Sequence, residues 1–243
     1  MTKLYLVMPA YNEAENIGNT VQQWHSTLAD CLSDEKDLDW KIVVCDDGSK
    51  DETYSILRQM TLSFPHLEVL TKPNSGHGST LLYLYHYSIA NGCDYIFQTD
   101  SDGQTDPPEF NLFWKNRNIF DFQIGKRAKR QDGFSRILVT RTLRLVVRMT
   151  MGVYVEDANT PFRLMRSDKL SKLLPHIPDD FFLSNVALAA LAVKKGFIVG
   201  WHTITFKPRQ GGVNSINMKR IFKIGWKAIG QLHNISRCAN KPT

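Results

Sequence analysis

Tyr95-Ile96-Phe97-Gln98-Thr99-Asp100-Ser101-Asp102-Gly103-Gln104 is the stretch on which the reading of this chain turns. A short apolar run rich in β-formers breaks abruptly into a polar cluster, the pattern of a strand delivering a loop. Asp100 and Asp102 stand two residues apart just beyond that strand, so both carboxylates can reach one hard divalent cation, and Gln104 offers a third oxygen at the same spacing. Mg²⁺ or Mn²⁺ held by few protein ligands keeps positions open for substrate phosphates. Such a cation would bridge a diphosphate and neutralise the charge that grows on it as a bond to it breaks. Asp and Ser also favour plain surface turns, so the triplet alone does not decide between the two readings.

Working outward, apolar β-rich runs alternate with helical patterns. Strands are expected at 4–8, 41–45, 67–70, 95–98 and 122–125. Helices are expected at 14–29, with Asn12 as cap, and from a Ser49/Glu52 capping box to about Met60. Another should follow the Gly/Pro/Asn-rich loop 71–79 and end near Asn91-Gly92, and a further one restarts at Pro107-Pro108. This order implies an α/β fold with a mostly parallel sheet and helices on both faces. Ligands of such sheets bind beyond the carboxyl ends of the strands. The polar clusters fall at those ends: Tyr11-Asn12-Glu13, Asp46-Asp47, Asn74 to Gly78, and Asp100 to Gln104.

The 243 residues suit one domain with a short appendage. A hydrophobic content of 42% supplies a full core, and 22% charged residues with 15 Gly and 10 Pro exclude low-complexity and collagen-like chains. The longest uninterrupted apolar run, Val186 to Val193, falls well short of the ~18–20 residues of a membrane span. The N-terminal apolar run is too short for a secretory signal. Cys31, Cys45, Cys93 and Cys238 are scattered without a CxxC, which argues against a disulfide framework or a zinc site and points to a reducing compartment. Residues 1–125 hold eighteen acids and eight bases; residues 126–243 hold six acids and twenty-two bases, with none of the acids after Asp180. An acidic half suited to a cation is thus joined to a basic half suited to anions.

Asp46-Asp47-Gly48-Ser49 directly follows the second strand, where one carboxylate can accept a proton from a nucleotide base; the same residues would also cap the next helix. Asn74-Ser75-Gly76-His77-Gly78 lacks both GxGxxG and GK[ST] spacing, so neither a Rossmann nor a P-loop site is implied. Residues 126–148 carry eight bases and one acid, with Arg141, Arg144 and Arg148 on one helix face. Arginine forks match phosphate oxygens. In Ser215–Leu232, Lys219, Lys223 and Lys227 share one face and Ile221, Phe222, Gly225, Ala228, Ile229 and Leu232 another, with Trp226 at the side. That helix suits an anionic membrane surface, and equally a seat on the core.

Taken together, Val7-Met8-Pro9-Ala10-Tyr11-Asn12-Glu13, Val43-Val44-Cys45-Asp46-Asp47-Gly48-Ser49, Asn74 to Gly78 and Gln98 to Gln104 resemble the motifs of family 2 glycosyltransferases of the GT-A fold. Gly125-Lys126-Arg127, the arginine-rich helix and Asp157-Ala158-Asn159-Thr160-Pro161-Phe162-Arg163 are similar to the dolichyl- or polyprenyl-phosphate sugar synthase branch. The resemblance covers about residues 3–212 and implies a GT-A domain over 1–212; the amphipathic pattern beyond it gives a C-terminal helix over 213–243, membrane-interfacial or packed on the core. It implies that Pro9, Tyr11, Glu13, Cys45 and Asp47 line the nucleotide pocket. Asp100, Ser101, Asp102 and Gln104 would meet the diphosphate, with Asp100, Asp102 and Gln104 on Mg²⁺ or Mn²⁺. Arg127, Arg136, Arg141 and Arg163 would face the acceptor phosphate, and Asp102, Arg127, Arg163 and Asp157 form the implied catalytic set. The implied chemistry is inverting hexosyl transfer from a UDP- or GDP-linked sugar to polyprenyl phosphate, at the cytoplasmic face of the membrane. Two departures stand out: Asn185 occupies a position where related members often carry Glu, and no membrane-spanning helices follow the domain up to Thr243.

A hydroxyl acceptor must lose a proton to attack, so its enzyme needs a general base. A phosphate monoester, with a second pKa of ~6, is already ionised at neutral pH. Asp157 is the one candidate base for a hydroxyl acceptor; with a phosphate acceptor its role is structural or to orient an arginine. The alternative within the same fold is transfer to a hydroxyl of a glycan or lipid-linked saccharide in cell-surface polysaccharide synthesis. A nucleic-acid module is disfavoured by the acidic first half and the lack of any such motif. A sugar nucleotidyltransferase is disfavoured by the lack of an N-terminal Gly-rich phosphate loop.

Overall fold

The computed structural model describes residues 1–127, 134–207 and 218–239, with side chains for 1–127, 142–207 and 229–239. Among these, seven strands form one sheet in the order β3-β2-β1-β4-β6-β5-β7. The strands are β1 (Thr2–Ala10), β2 (Leu38–Asp46), β3 (Leu67–Thr71), β4 (Tyr95–Gln98), β5 (Phe122–Arg127), β6 (Arg163–Arg166) and β7 (Val199–Ile204). β1 pairs in parallel with β2 and β4, β2 with β3, and β5 with β7. β6 runs antiparallel between β4 and β5. The α/β, mostly parallel architecture expected from the sequence is therefore present, and the five expected strands are all there, four of them longer than expected.

Helices α1 (Ile17–Cys31), α2 (Thr53–Met60) and α4 (Phe110–Lys115) cover one face. The other carries α3 (His77–Ala90), α5 (Phe134–Met151), α7 (Ser184–Lys194) and α8 (Met218–Ala239); the short α6 (Ser167–Leu170) follows β6. Because both faces are covered, the central strands read as continuous apolar runs whose residues alternate between two cores. Leu4, Leu6 and Met8 of β1 join Trp24, Phe97, Phe110 and Phe162 on the α1 side. Tyr5 and Val7 join Leu81, Tyr85 and the Val186–Ala192 run of α7 on the other.

Two expected helix caps are not formed. Asn12 lies outside α1 with a φ of 53°, and its side chain accepts a bond from the Lys50 N–H (2.8 Å). Ser49 Oγ accepts from the Asn12 N–H (2.9 Å) rather than capping α2; Asp51 accepts from the Thr53 N–H instead (3.0 Å). These polar side chains clip the ends of β1 and β2 to each other, a use that local spacing does not reveal. The strands β6 and β7 have no counterpart in the sequence reading. Both are short, and β6 begins and ends on arginine. The expected Ser215–Leu232 helix corresponds to α8, but its first residues and the side chains of Lys219, Ile221, Phe222, Lys223, Gly225, Trp226, Lys227 and Ala228 lie outside the described residues. Farther along α8, Leu232, Ile235 and Ala239 are buried in the same core as α5 and α7. Among the described residues no helix is long and apolar enough to cross a membrane.

Candidate active site

One edge of the sheet gathers the carboxyl ends of β1, β2, β3, β4, β5 and β7 with the start of the antiparallel β6. Asp47 follows β2 and is buried. Its carboxylate accepts N–H bonds from Ser75 (3.0 Å) and Gly76 (2.8 Å) and is paired with Lys72. Burial alone would raise the Asp47 pKa; Lys72 and these N–H groups outweigh it and hold the carboxyl below its ordinary value. Gly48 makes the approach possible: it has a φ of +67°, and a Cβ there would meet the Asn74 nitrogen at 2.9 Å. Gly78, in the first turn of α3, lies so close to the Phe181 and Phe182 carbonyls that a Cβ would stand 2.4 and 2.6 Å from them.

Tyr11 is exposed beside this latch, whereas Pro9 and Glu13 are buried. Glu13 accepts from the Asn16 side chain (3.0 Å), and its own N–H donates to Thr53 Oγ1 (2.8 Å). Cys45 does not reach the open edge. It is buried in the core below the sheet, and burial pushes its thiol up to about 12.

The loop after β4 is fixed at several points. Thr20 of α1 donates to the Ser101 carbonyl (3.3 Å), and the Thr99 and Thr105 hydroxyls close the loop at 3.0 Å. Asp100 and Asp102 are both partly exposed there. The His77 ring meets Asp100 Oδ1 at 3.0 Å. Burial favours the neutral ring, but Asp100, with Asp102 and Asp47 behind it, raises the His77 pKa above the ordinary value. Asp102 Oδ1 accepts from the Gln104 N–H (3.2 Å). Gln104 directs its side-chain amide away from this pair, donating to the Lys207 carbonyl (2.9 Å). Among the described residues no group of three or more His, Cys, Asp or Glu side chains is placed to hold a metal. The donor set in the loop is two carboxylates, a chemistry that fits a hard cation completed by water and diphosphate oxygens.

Across the edge, Arg127 at the end of β5 forms a fork with Asp157: Nε to Oδ2 and Nη2 to Oδ1, both 2.8 Å. Arg163 is placed differently from Arg127. It is 1% exposed, and its guanidinium donates to the carbonyls of Thr160 (2.7 Å), Asn185 (2.8 Å) and Ala158 (2.6 Å). Burial lowers its pKa to about 10. In this structure it braces the 158–160 turn against α7 and does not present itself at the edge. The side chains of Arg136 and Arg141 lie outside the described residues. Tyr11, Glu13, Asp47, Asp100, Ser101, Asp102, Gln104, Arg127 and Asp157 are thus collected at one edge, without an outward Arg163, while Pro9 and its register partner Cys45 are buried just inside it. The sequence reading passes over two partners, Lys72 on Asp47 and His77 on Asp100. A lysine just beyond a strand end was the available signal for the first.

A mostly parallel sheet whose strand ends converge on paired aspartates has the form of an α/β protein with its ligand edge at the strand ends. Residues 5–185 match the model of glycosyl transferase family 2, and the chain belongs to that family: it is a glycosyltransferase. It is 25% identical over 241 residues to a polyprenol monophosphomannose synthase of Mycolicibacterium smegmatis, covering 93% of this chain and 88% of the relative. It is also 25% identical over 205 residues to an undecaprenyl-phosphate 4-deoxy-4-formamido-L-arabinose transferase of Pectobacterium atrosepticum, spanning 79% of this chain but only 60% of that relative's length. Among solved structures, glucosyl-3-phosphoglycerate synthase from Mycobacterium tuberculosis with Mn²⁺, UDP and phosphoglyceric acid superposes with a TM-score of 0.66 at 18% identity, over 100% of this chain and 80% of that one. The same enzyme with Mn²⁺, UDP-glucose and phosphoglyceric acid gives 0.63 at 17% identity, over 100% and 82%.

Proposed function

We propose that this glycosyltransferase moves a hexosyl unit from a UDP- or GDP-linked sugar to a polyprenyl phosphate, with inversion at the anomeric carbon. The observation that carries the reading is the state of Asp157, set among partnered carboxylates at the open edge. Asp46 accepts from Ser49 and Thr71, Asp47 is latched to Lys72, Asp100 is paired with His77, and Asp157 is locked in the Arg127 fork. Asp157, the one candidate base for a hydroxyl acceptor, is thus taken up by an arginine, and a phosphate acceptor requires no base. The relatives named for polyprenol and undecaprenyl phosphates support the same acceptor class.

Asp47, with the Ser75–Gly76 backbone, forms the wall for the nucleoside, beside Tyr11, Pro9 and Glu13. Asp100 and Asp102 would hold Mg²⁺ or Mn²⁺, which when bound supplies positive charge to the leaving diphosphate. Arg127 binds the acceptor phosphate, and Asp157 keeps its fork in plane. The bond from the anomeric carbon to the diphosphate oxygen breaks as an acceptor phosphate oxygen forms the new one, and no proton moves. Catalysis then reduces to placing two anions face to face with cations between them.

The acceptor's lipid tail calls for a membrane surface, and the exposed outer face of α5 supports peripheral contact there. Leu145 and Met149 are 57% and 76% exposed beside the exposed Arg148, with Tyr154 exposed just beyond. Neither α5 nor α8 contains an acid, which suits anionic lipids of the cytoplasmic leaflet. The test of the donor side is Asp102→Asn, assayed with Mn²⁺. Transfer should fall by about a thousandfold with the circular dichroism spectrum unchanged, and EDTA should abolish wild-type transfer. Full activity in EDTA would remove the cation from the account.

A further inference from the structure

The three residues after β7 tie the two halves of the site together. Lys207 N–H donates to the Gln104 carbonyl (2.7 Å), Gln104 Nε2 returns a bond to the Lys207 carbonyl (2.9 Å), and Thr105 pairs with Phe206 in an antiparallel bridge. Lys207 Nζ reaches Asp106 (2.6 Å), and Thr205 N–H donates to the Glu109 carboxylate (2.9 Å). This strap is therefore stitched to the loop that carries Asp100 and Asp102. From it the Phe206 ring projects to Arg127, whose guanidinium carbon lies 5.2 Å from the ring centroid.

The Asp157 fork fixes Arg127 within the plane of the carboxylate but does not stop the guanidinium tilting out of that plane. An aromatic face on one side opposes the tilt, and attracts the cation through the ring quadrupole. Arg127 is thus held by a carboxylate along its edge and by a ring on its face. The ring is itself anchored to the donor loop, so the spacing between donor and acceptor subsites is built into the strap. We propose that Phe206 is a positioning residue for the transfer reaction, aligning Arg127 on the acceptor phosphate. The inference rests on the reading of Arg127 as the acceptor contact.

The experiment compares wild type, Phe206→Leu and Phe206→Trp with undecaprenyl phosphate in detergent micelles and UDP-glucose or GDP-mannose as donors. Leucine keeps apolar bulk and loses the ring; tryptophan keeps the ring. The expected result is a KM for undecaprenyl phosphate raised about fivefold to tenfold in Phe206→Leu, with kcat changing less. UDP or GDP binding with Mn²⁺, measured by calorimetry without acceptor, should be unchanged, and Phe206→Trp should return the KM to within about twofold of wild type. An unaltered KM in Phe206→Leu overturns the inference, as does equal loss in both variants. If wild type transfers to no lipid phosphate, the acceptor reading itself fails and the inference falls with it, an outcome visible before any variant is assayed.

Discussion

Arg127 and Asp157 are joined by two parallel N–H···O bonds of 2.8 Å, with side chains only 13% and 8% exposed. A carboxylate so held is a poor proton acceptor, because taking a proton would break a charge-assisted fork in a sparsely hydrated place. Asp157→Asn should therefore leave the shape of the pH–rate profile unchanged. It should raise the KM for lipid phosphate by roughly tenfold, through a loosened Arg127. Profiles of both proteins over the accessible pH range decide it, since a titrating limb that disappears in the variant would make Asp157 the base.

Arg163 has a different task. Its replacement by leucine leaves the Thr160, Asn185 and Ala158 carbonyls without their buried donor. The expected loss is about 3 kcal/mol or more of unfolding free energy in urea. A loss of activity with wild-type stability would instead place Arg163 on substrate.

The Asp47 latch carries a pH signature. Its folded pKa lies below the ordinary carboxylate value, so its contribution to stability is present above pH ~4. It is lost as pH falls through the folded value. Asp47→Asn should cost about 1–3 kcal/mol at pH 7, and the gap between variant and wild type should narrow towards pH 3. Urea titrations at the two pH values measure this; a gap that widens on acidification would reverse the sign.

Membrane contact through α5 predicts co-flotation of the protein with vesicles containing anionic lipid, weaker with neutral vesicles and at high salt. The double variant Leu145→Glu/Met149→Glu should lose most of that binding while keeping nucleotide affinity. Binding that is indifferent to lipid charge and to both substitutions would remove this face from the account.

The first half of the fold was legible because a two-sided parallel sheet writes itself as apolar runs ending in polar clusters. Those clusters, Asp46-Asp47 and Asp100 to Gln104, do meet at one edge. The second half was less legible. β6 is four residues long and bounded by arginines, so its partner strands define it rather than any period of its own. The caps escape the local pattern for a related reason: Asn12 and Ser49 satisfy groups on each other's loops, 37 residues apart in the chain. Cys45 and Arg163 share motifs with Asp47 and Asp157 of the open edge but are themselves buried, Cys45 among the core side chains and Arg163 on backbone carbonyls, and the motif alone does not separate the two placements. Phe206 and Lys72 carry no motif at all; only the assembled edge brings them to Arg127 and Asp47.

The most direct measurement supplies wild-type enzyme, Mn²⁺ and radiolabelled UDP- and GDP-sugars with undecaprenyl phosphate and, separately, a soluble glycan. Label should pass into the organic phase as an acid-labile sugar-phosphate lipid, only when the lipid phosphate is present. Label found solely on the glycan would contradict the lipid-phosphate reading.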